Sequence, residues 1–282
     1  MRCLLFAALA ALLVMPLFSS NAEAAAARKI LVVGSSEREM ELADGSQMAV
    51  GFFLNEFAVP AEYLAGKGYE IVLATPSGKA PVMDAASNDK KFFGGSEAAR
   101  EEAENFVRSL TPISLREAIA GGLDAYAAVF VPGGHAPMTD LMQSPELGEI
   151  LRYFHAQQKP TAFICHGPAA MLAALPDAAA YRKALVRRDV RGAMAAAKDW
   201  PYAGYEMTVL SDAEEWPGEV AKGTEMPFHV EQALQIAGGR MREDGLYGSH
   251  VVRDRELITG QNPASDVALA QALDEAIRKQ VK

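Results

Sequence analysis

Past its first two dozen residues the chain shows a short uninterrupted apolar run, Lys29 to Gly34. The same signature returns at Tyr69–Thr75, Tyr126–Pro132, Pro160–Cys165 and Tyr205–Leu210. Apolar runs this short, without polar alternation, mark strands covered on both faces. Between them lie stretches with helical spacing, Val59–Lys67, Pro145–Gln157 and Pro168–Leu175, the first closed by Gly66 and Gly68. Strands alternating with helices predict βαβ units and a mostly parallel sheet. Near the end, Val251–Arg253 and Glu256–Thr259 flank Asp254-Arg255 and predict a hairpin. A last helix is expected after Ser265 as N-cap, with Ala270, Leu273, Ile277 and Val281 along one stripe. No repeat and no Pro/Gly/Ser-rich linker divides the chain, so a single α/β domain is expected over residues 25–282. Two stretches break the alternation. Residues 77–111 are polar and Gly-containing, with a short acidic helix at Glu97–Leu110, and residues 176–203 are rich in Ala, Arg and Lys. Both are expected as lid-like insertions over the sheet.

The first residues read differently. Arg2 supplies a positive start, Leu4 to Leu17 an apolar stretch, and Ala22-Glu23-Ala24 a small-x-small cleavage site. A signal peptide at 1–24 is therefore expected, with a secreted, periplasmic product and no membrane attachment after cleavage. The apolar stretch is shorter than the roughly 20 residues a span needs, and Cys3 precedes it, so a lipoprotein anchor is not expected. Of the two cysteines, Cys3 and Cys165, only Cys165 would remain, which excludes a disulfide-stapled scaffold. Half of the 282 residues are hydrophobic and 22% are charged, enough apolar content to exclude a disordered chain. A formal net charge of −9 argues against a nucleic-acid partner, which recruits basic residues to its phosphates.

The candidate chemistry centres on Pro160-Thr-Ala-Phe-Ile-Cys-His-Gly-Pro-Ala-Ala-Met-Leu172. An apolar strand runs into Cys165 and a helix is expected almost at once, with Gly167 permitting a sharp turn and Pro168 suited to a first helical turn. That is a strand–nucleophile–helix elbow at the carboxyl end of a sheet. A helix N-terminus there would favour the thiolate and lower the thiol pKa. The alternative is a buried, inert cysteine. The stretch Tyr126-Ala-Ala-Val-Phe-Val-Pro-Gly-Gly-His135 ends a second strand in Gly133-Gly134, whose amides, with that of His166, are candidates for an oxyanion hole. His135 lies at the mouth of this site, to contact substrate or to cap a turn. His229 and Glu231, at a spacing of two, make no metal site and are expected on a helix after Pro227. His155 and His250 are expected to be structural. Trp200 and Trp216 are placed either under a lid or in the core.

The Phe-Ile-Cys-His-Gly-Pro-Ala-Ala elbow and the Phe-Val-Pro-Gly-Gly-His-Ala-Pro segment resemble the ThiJ/PfpI superfamily, related to class I glutamine amidotransferases. Three more segments resemble its chaperone and glutathione-independent glyoxalase III branch: Gly51-Phe-Phe-Leu-Asn-Glu-Phe-Ala-Val-Pro60, Met226-Pro-Phe-His-Val-Glu231 and Leu257-Ile-Thr-Gly-Gln-Asn-Pro-Ala-Ser265. The resemblance spans residues 29–280 and implies a flavodoxin-like three-layer α/β sandwich. It implies Cys165 as nucleophile, His166 as adjacent proton shuttle and Glu56 as the acid beside the thiol; by residue type alone Glu56 reads as a solvated first-turn acid. Within Thr208-Val-Leu-Ser-Asp-Ala-Glu-Glu215 the resemblance implies an acid that orients the histidine, Glu215 first and Glu214 second. The implied reaction converts methylglyoxal or a related 2-oxoaldehyde to a hydroxy acid through a Cys165 hemithioacetal, or removes such adducts from glycated proteins, with no cofactor and no metal. A homodimer is the implied assembly. Two features depart from the family pattern: the 50 positions between Cys165 and Glu215, with Arg182–Tyr202 as the additional residues, and the export signal. A cysteine hydrolase or amidase using Cys165, His166 and Glu215 is the second enzymatic reading, and a holdase-type chaperone the reading from another class.

Overall fold

Ile30, Leu31, Val32 and Val33 are all completely buried, and they divide by parity: Leu31 and Val33 join one apolar cluster, Ile30 and Val32 another. Side chains alternate along a strand, so this run lies in a sheet covered on both faces. The computed structural model describes residues 29–280. The expected signal peptide, Cys3 and Val281 lie outside the described residues.

In chain order the strands are β1 (Lys29–Val33), β2 (Glu39–Glu41), β3 (Gln47–Ala49), β4 (Glu70–Thr75), β5 (Ile113–Ser114), β6 (Tyr126–Val131), β7 (Thr161–Ile164), β8 (Glu206–Met207), β9 (Arg240–Met241), β10 (Val251–Asp254) and β11 (Leu257–Gly260). Seven of them form one sheet in the order β10-β11-β7-β6-β1-β4-β5. Every neighbouring pair is parallel except the β10/β11 hairpin. Arg255, at the turn of that hairpin, has φ +57°. One face packs against the helix Pro145–Ala156 and the segment that follows Cys165. The other packs against the helices Leu54–Gly66, Glu97–Ser109 and Asp266–Gln280; of the expected stripe on the last, Ala270, Leu273 and Ile277 are buried, and Leu269 is buried beside them. The result is a three-layer, mostly parallel α/β sandwich.

Three expectations are corrected. Tyr205–Leu210 is not a strand of the central sheet. Only Glu206 and Met207 are extended, and they pair with β9 in a separate two-stranded sheet. The Glu206 and Thr208 amides donate to the side chains of Asp254 (2.9 Å) and Thr259 (2.8 Å), so side-chain acceptors replace a backbone ladder. Pro168–Leu175 is not an α-helix but a 3₁₀ run over Gly167–Ala174. All eight of its residues are buried, so no polar face selects a 3.6-residue repeat.

The third correction concerns residues 176–203, which are not a loose lid. They form two short helices, Ala178–Val186 and Val190–Ala196, anchored by Tyr181, Trp200 and Tyr202 in the main core. The Tyr181 hydroxyl donates to the Ala233 carbonyl, and the Trp200 indole N–H to the Met171 carbonyl at 3.0 Å. Tyr181→Ala is therefore expected to lower unfolding stability by about 3–5 kcal/mol, the cost of emptying a buried aromatic site. Urea titration of both forms measures this, and a loss under about 1 kcal/mol would mean that the segment is only laid over the fold. The stretch 77–111 holds two 3₁₀ turns and the expected acidic helix, which starts at the N-cap Ser96.

Candidate active site

Strands β6 and β7 run side by side, with Val131 opposite Phe163, and both end at the same point. The backbone then turns sharply at Cys165, whose φ is +58°. A non-glycine residue there costs about 1–2 kcal/mol, and the surrounding ladder holds it. The Cys165 amide donates to Gly260 O at 2.9 Å, and its carbonyl accepts from the Leu210 amide at 3.1 Å. The thiol thus stands at the carboxyl end of the sheet, almost fully buried.

The glycines around it have no room for a side chain. A Cβ on Gly133 would overlap Glu56 Oε2 and lie 2.6 Å from Cys165 Cβ and 2.7 Å from Ile164 O. Gly134 has φ +85°, and a Cβ there would overlap Gly51 O. This close approach positions two amides. The Gly134 N–H faces the Cys165 sulfur, whereas the Gly133 N–H faces the Glu56 carboxyl. Of the two glycine amides, that of Gly134 is the one beside the thiol. Gly51 is a partner that sequence reasoning passed over, because its role depends on contact with a segment more than eighty positions away.

On one side of the sulfur lies a relay. Cys165 Sγ is 3.3 Å from His166 Nδ1, and His166 Nε2 is hydrogen-bonded to Glu215 Oε2. The other Glu215 oxygen lies 3.3 Å from His135 Nε2, and the two imidazole rings are tilted at 42° with centroids 4.2 Å apart. Glu215 and not Glu214 meets the histidine, and the helix phase explains why. Ser211 caps the helix Asp212–Lys222 in a capping box with Glu214, which turns Glu214 back onto the Ser211 amide and leaves the next residue facing His166. Glu214 also accepts from Gln261 Nε2 (3.1 Å), Asn262 Nδ2 (2.8 Å) and the Tyr247 amide (2.7 Å). These residues anchor the first turn that presents Glu215, and the Ser-x-x-Glu spacing was the available signal for that anchor. His135, four residues past β6, is the N-cap residue of the 3₁₀ turn Ala136–Met138 through its backbone carbonyl, but its side chain makes no cap bond and is directed at Glu215.

On the other side lies Glu56, in the first turn of Leu54–Gly66. That helix begins five residues before the expected Val59. Glu56 is not solvated: it is completely buried, and neither oxygen makes a conventional hydrogen bond, with the Cys165 thiol and the Gly133 amide facing it. Burial drives its pKa from 4.5 to about 8, helped by the charges of Asp266 and Asp84. The thiol itself is pushed up, not down. Burial acts first, then the Glu56 and Glu215 carboxylates, against the opposing pull of the Gly134 N–H. The expected thiolate-favouring helix terminus is outweighed, and the element after the elbow is a 3₁₀ run with a weaker claim to a macrodipole. Burial also lowers the His166 pKa, beyond what Glu215 restores, so its imidazole is neutral at rest. Burial pushes up the Glu215 carboxyl as well, but His166 and His135 together hold it well below the usual carboxylate range. The arrangement is a protonated thiol between a neutral base backed by a carboxylate and a carboxyl that titrates near neutrality.

The remaining candidates fall elsewhere. His229 is the N-cap residue of the helix Val230–Ile236 and bridges Asp212 (3.3 Å) and Glu219 (3.0 Å), which raise its pKa to about 9. Glu231 instead accepts from the Asp212 amide at 2.7 Å, so the two do not share a ligand position. His155 bonds Glu256 at 2.8 Å and His250 the Arg242 carbonyl at 3.1 Å, both structural. Trp200 is core, while Trp216 is exposed at the edge of an apolar cleft of about 350 Å³, whose lining includes Leu185, Val190, Met226 and Ala233.

A family model described as the DJ-1/PfpI family matches residues 46–184, a stretch that holds Glu56, Gly133, Gly134, His135, Cys165 and His166 and ends before Glu215. The chain is 29% identical over 244 residues to the protein/nucleic acid deglycase HchA of Pseudomonas aeruginosa, covering 84% of this chain and 76% of the relative. The Escherichia coli protein of the same name is 28% identical over 256 residues, covering 86% and 78%. Among solved structures, glyoxalase III from Candida albicans superposes with a TM-score of 0.63 at 23% identity, covering 89% of this chain and 98% of that one. The Rapid Encystment Protein 24 kDa of Francisella tularensis superposes with a TM-score of 0.65 at 22% identity, covering 89% and 99%. At these identities the two structures speak for the fold.

Proposed function

We propose that this chain, which carries a DJ-1/PfpI family domain over residues 46–184, is an enzyme that converts methylglyoxal or a related 2-oxoaldehyde to a hydroxy acid, or removes such adducts from proteins, through a covalent intermediate on Cys165. The relatives named protein/nucleic acid deglycase support the substrate class. The observation that carries the reading is the pair of proton carriers on opposite sides of one sulfur: His166 backed by Glu215, and the buried Glu56 titrating near 8. Simple acyl transfer needs one carrier. Moving hydrogen between the two carbons of an oxoaldehyde needs a second.

The steps balance. His166 Nδ1 takes the thiol proton as the sulfur attacks the aldehyde carbon, and Glu56 protonates the resulting oxyanion to give the hemithioacetal. The Glu56 carboxylate then removes the hydrogen from that carbon, and His166 protonates the neighbouring oxygen, giving an enediol. Glu56 returns its proton to the second carbon while His166 takes the hydroxyl proton, leaving a lactoyl thioester. Water cleaves this ester: its hydroxyl goes to the acyl carbon, its remaining proton to Glu56, and the departing sulfur recovers the proton held on His166. Lactic acid leaves, and every group is restored. The Gly134 N–H stands where charge develops beside the sulfur.

Purified protein supplied with methylglyoxal and no glutathione is expected to form lactate. Absence of lactate, with acyl-enzyme accumulating on Cys165 from small esters or amides, would instead identify a cysteine hydrolase. One observation favours an additional role in binding apolar segments. The cleft beside Trp216 is flanked by exposed Val190 on one side and by Trp216 on the other, with Val186, Met194 and Val220 exposed on the same three helices.

A further inference from the structure

We propose that His135, His166 and Glu215 form a zinc site whose occupation silences Cys165. The three side chains come from three separate parts of the chain: the connection after β6, the elbow after β7, and the first turn of the helix Asp212–Lys222. Their donor atoms lie within 4.8 Å of one another. Zinc binds imidazole nitrogen and carboxylate oxygen at about 2.0–2.2 Å, so tetrahedral ligands stand roughly 3.3 Å apart. His135 Nε2 and Glu215 Oε1 are already 3.3 Å apart, and His166 Nε2 is on the other oxygen of the same carboxylate. Bringing the set onto one ion requires a movement of about 1.5 Å at most, within reach of a rotation of the Glu215 carboxylate. Two imidazoles and one carboxylate, with a fourth position for water, are a donor set that zinc accepts. His229 and Glu231, the pair whose spacing first raised the question of a metal, contribute nothing to it.

The consequence for the thiol follows from the two nitrogens of one ring. Without metal, Nε2–H of His166 donates to Glu215 and Nδ1 is free to accept the proton of Cys165, 3.3 Å away. With zinc on Nε2, a neutral imidazole carries its proton on Nδ1. It then points a donor at the sulfur and has no lone pair to receive the thiol proton. Zinc thus acts by reversing a tautomer, without touching the nucleophile. The functional consequence rests on the proposed role of Cys165; the binding itself does not.

The test uses chelator-treated protein and zinc chloride as the only ligand. Titration calorimetry is expected to show one zinc per chain. Affinity should fall at least about tenfold in His135→Ala and in Glu215→Gln, and stay unchanged in His229→Gln and Cys165→Ser. Zinc should also slow iodoacetamide alkylation of Cys165 at least about tenfold in the wild-type protein, and chelator should restore it. Circular dichroism checks that each variant is folded, and the two ligand variants stand in for each other if one is not. No stoichiometric zinc, zinc bound equally well by both folded ligand variants, or zinc lost with the thiol would each overturn the proposal. Because calorimetry and alkylation read no turnover, a protein that binds zinc but makes no lactate would refute the proposed reaction and leave the site standing.

Discussion

Cys165→Ala is expected to reduce lactate formation from methylglyoxal to the uncatalysed background, a loss of at least about four orders of magnitude, because no second nucleophile stands at the elbow. His166, Glu215 and the Gly134 amide would remain in place, but there is nothing for them to activate. The fold should survive. The thiol contributes one small atom to an apolar cluster, and the positive φ at this position is imposed by the Gly260 and Leu210 hydrogen bonds on either residue type. Its loss should cost about 1 kcal/mol, a shift of a few degrees in Tm. Lactate assay and thermal unfolding of the same preparation separate the two effects. A folded variant that keeps a tenth of the turnover would remove Cys165 from the chemistry. Suppression of client aggregation, if it resides in the cleft beside Trp216, should be the same in this variant as in the wild type.

Glu56→Gln has the second largest expected effect and the more distinctive signature. The carboxyl is completely buried, and its pKa of about 8 leaves it protonated at neutral pH, so an amide replaces a neutral acid of nearly the same shape. Turnover should fall by about 10²–10⁴, since glutamine neither gives nor takes the proton moved between the two carbons. Stability should fall little near pH 6. The pH dependence distinguishes the forms. A folded-state pKa raised from 4.5 to about 8 means that the native protein holds this proton more tightly than the unfolded chain. The stabilisation it contributes is complete below about pH 4.5 and is lost as the pH rises through about 8, on the order of 5 kcal/mol in all. Urea unfolding of wild type and Glu56→Gln between pH 5 and 9 is therefore expected to show curves that converge and then cross as pH rises. Parallel curves would mean that Glu56 ionises as an ordinary surface acid and cannot serve as the second proton carrier.

Much of the framework was legible because it is written in local pattern. The apolar runs predicted β1, β4, β6 and β7 to within a residue or two, the hairpin followed from its turn signal, and the last helix starts directly after Ser265 as expected, although the Ser265 hydroxyl bonds His250. The failures have a common cause. Tyr205–Leu210 is as apolar as a central strand, yet its amides are taken by Asp254 and Thr259. The stretch 176–203 has a composition that reads as solvent-facing, yet three aromatic residues anchor it in the core. In both cases the deciding partners are distant in the chain, and hydrophobic periodicity carries no record of them.

The sequence by itself determined most of the central strands and the elbow that carries Cys165, because a strand ending in Cys-His-Gly-Pro is a local event whose geometry Gly167 and Pro168 announce. What only the tertiary structure decided is the protonation of the site. Glu56 reads as an exposed helical acid until the packing of Leu54–Gly66 onto the sheet and against the helix Asp266–Gln280 removes its water and raises its pKa. Glu215 is distinguished from Glu214 by the phase of a helix whose first turn is anchored by Gln261 and Asn262. Cys165 alone suggested a thiolate, but enclosure among Glu56, Glu215 and apolar walls holds it as a thiol. Desolvation and charge proximity are properties of a filled volume, and they exist only once the chain has closed around it.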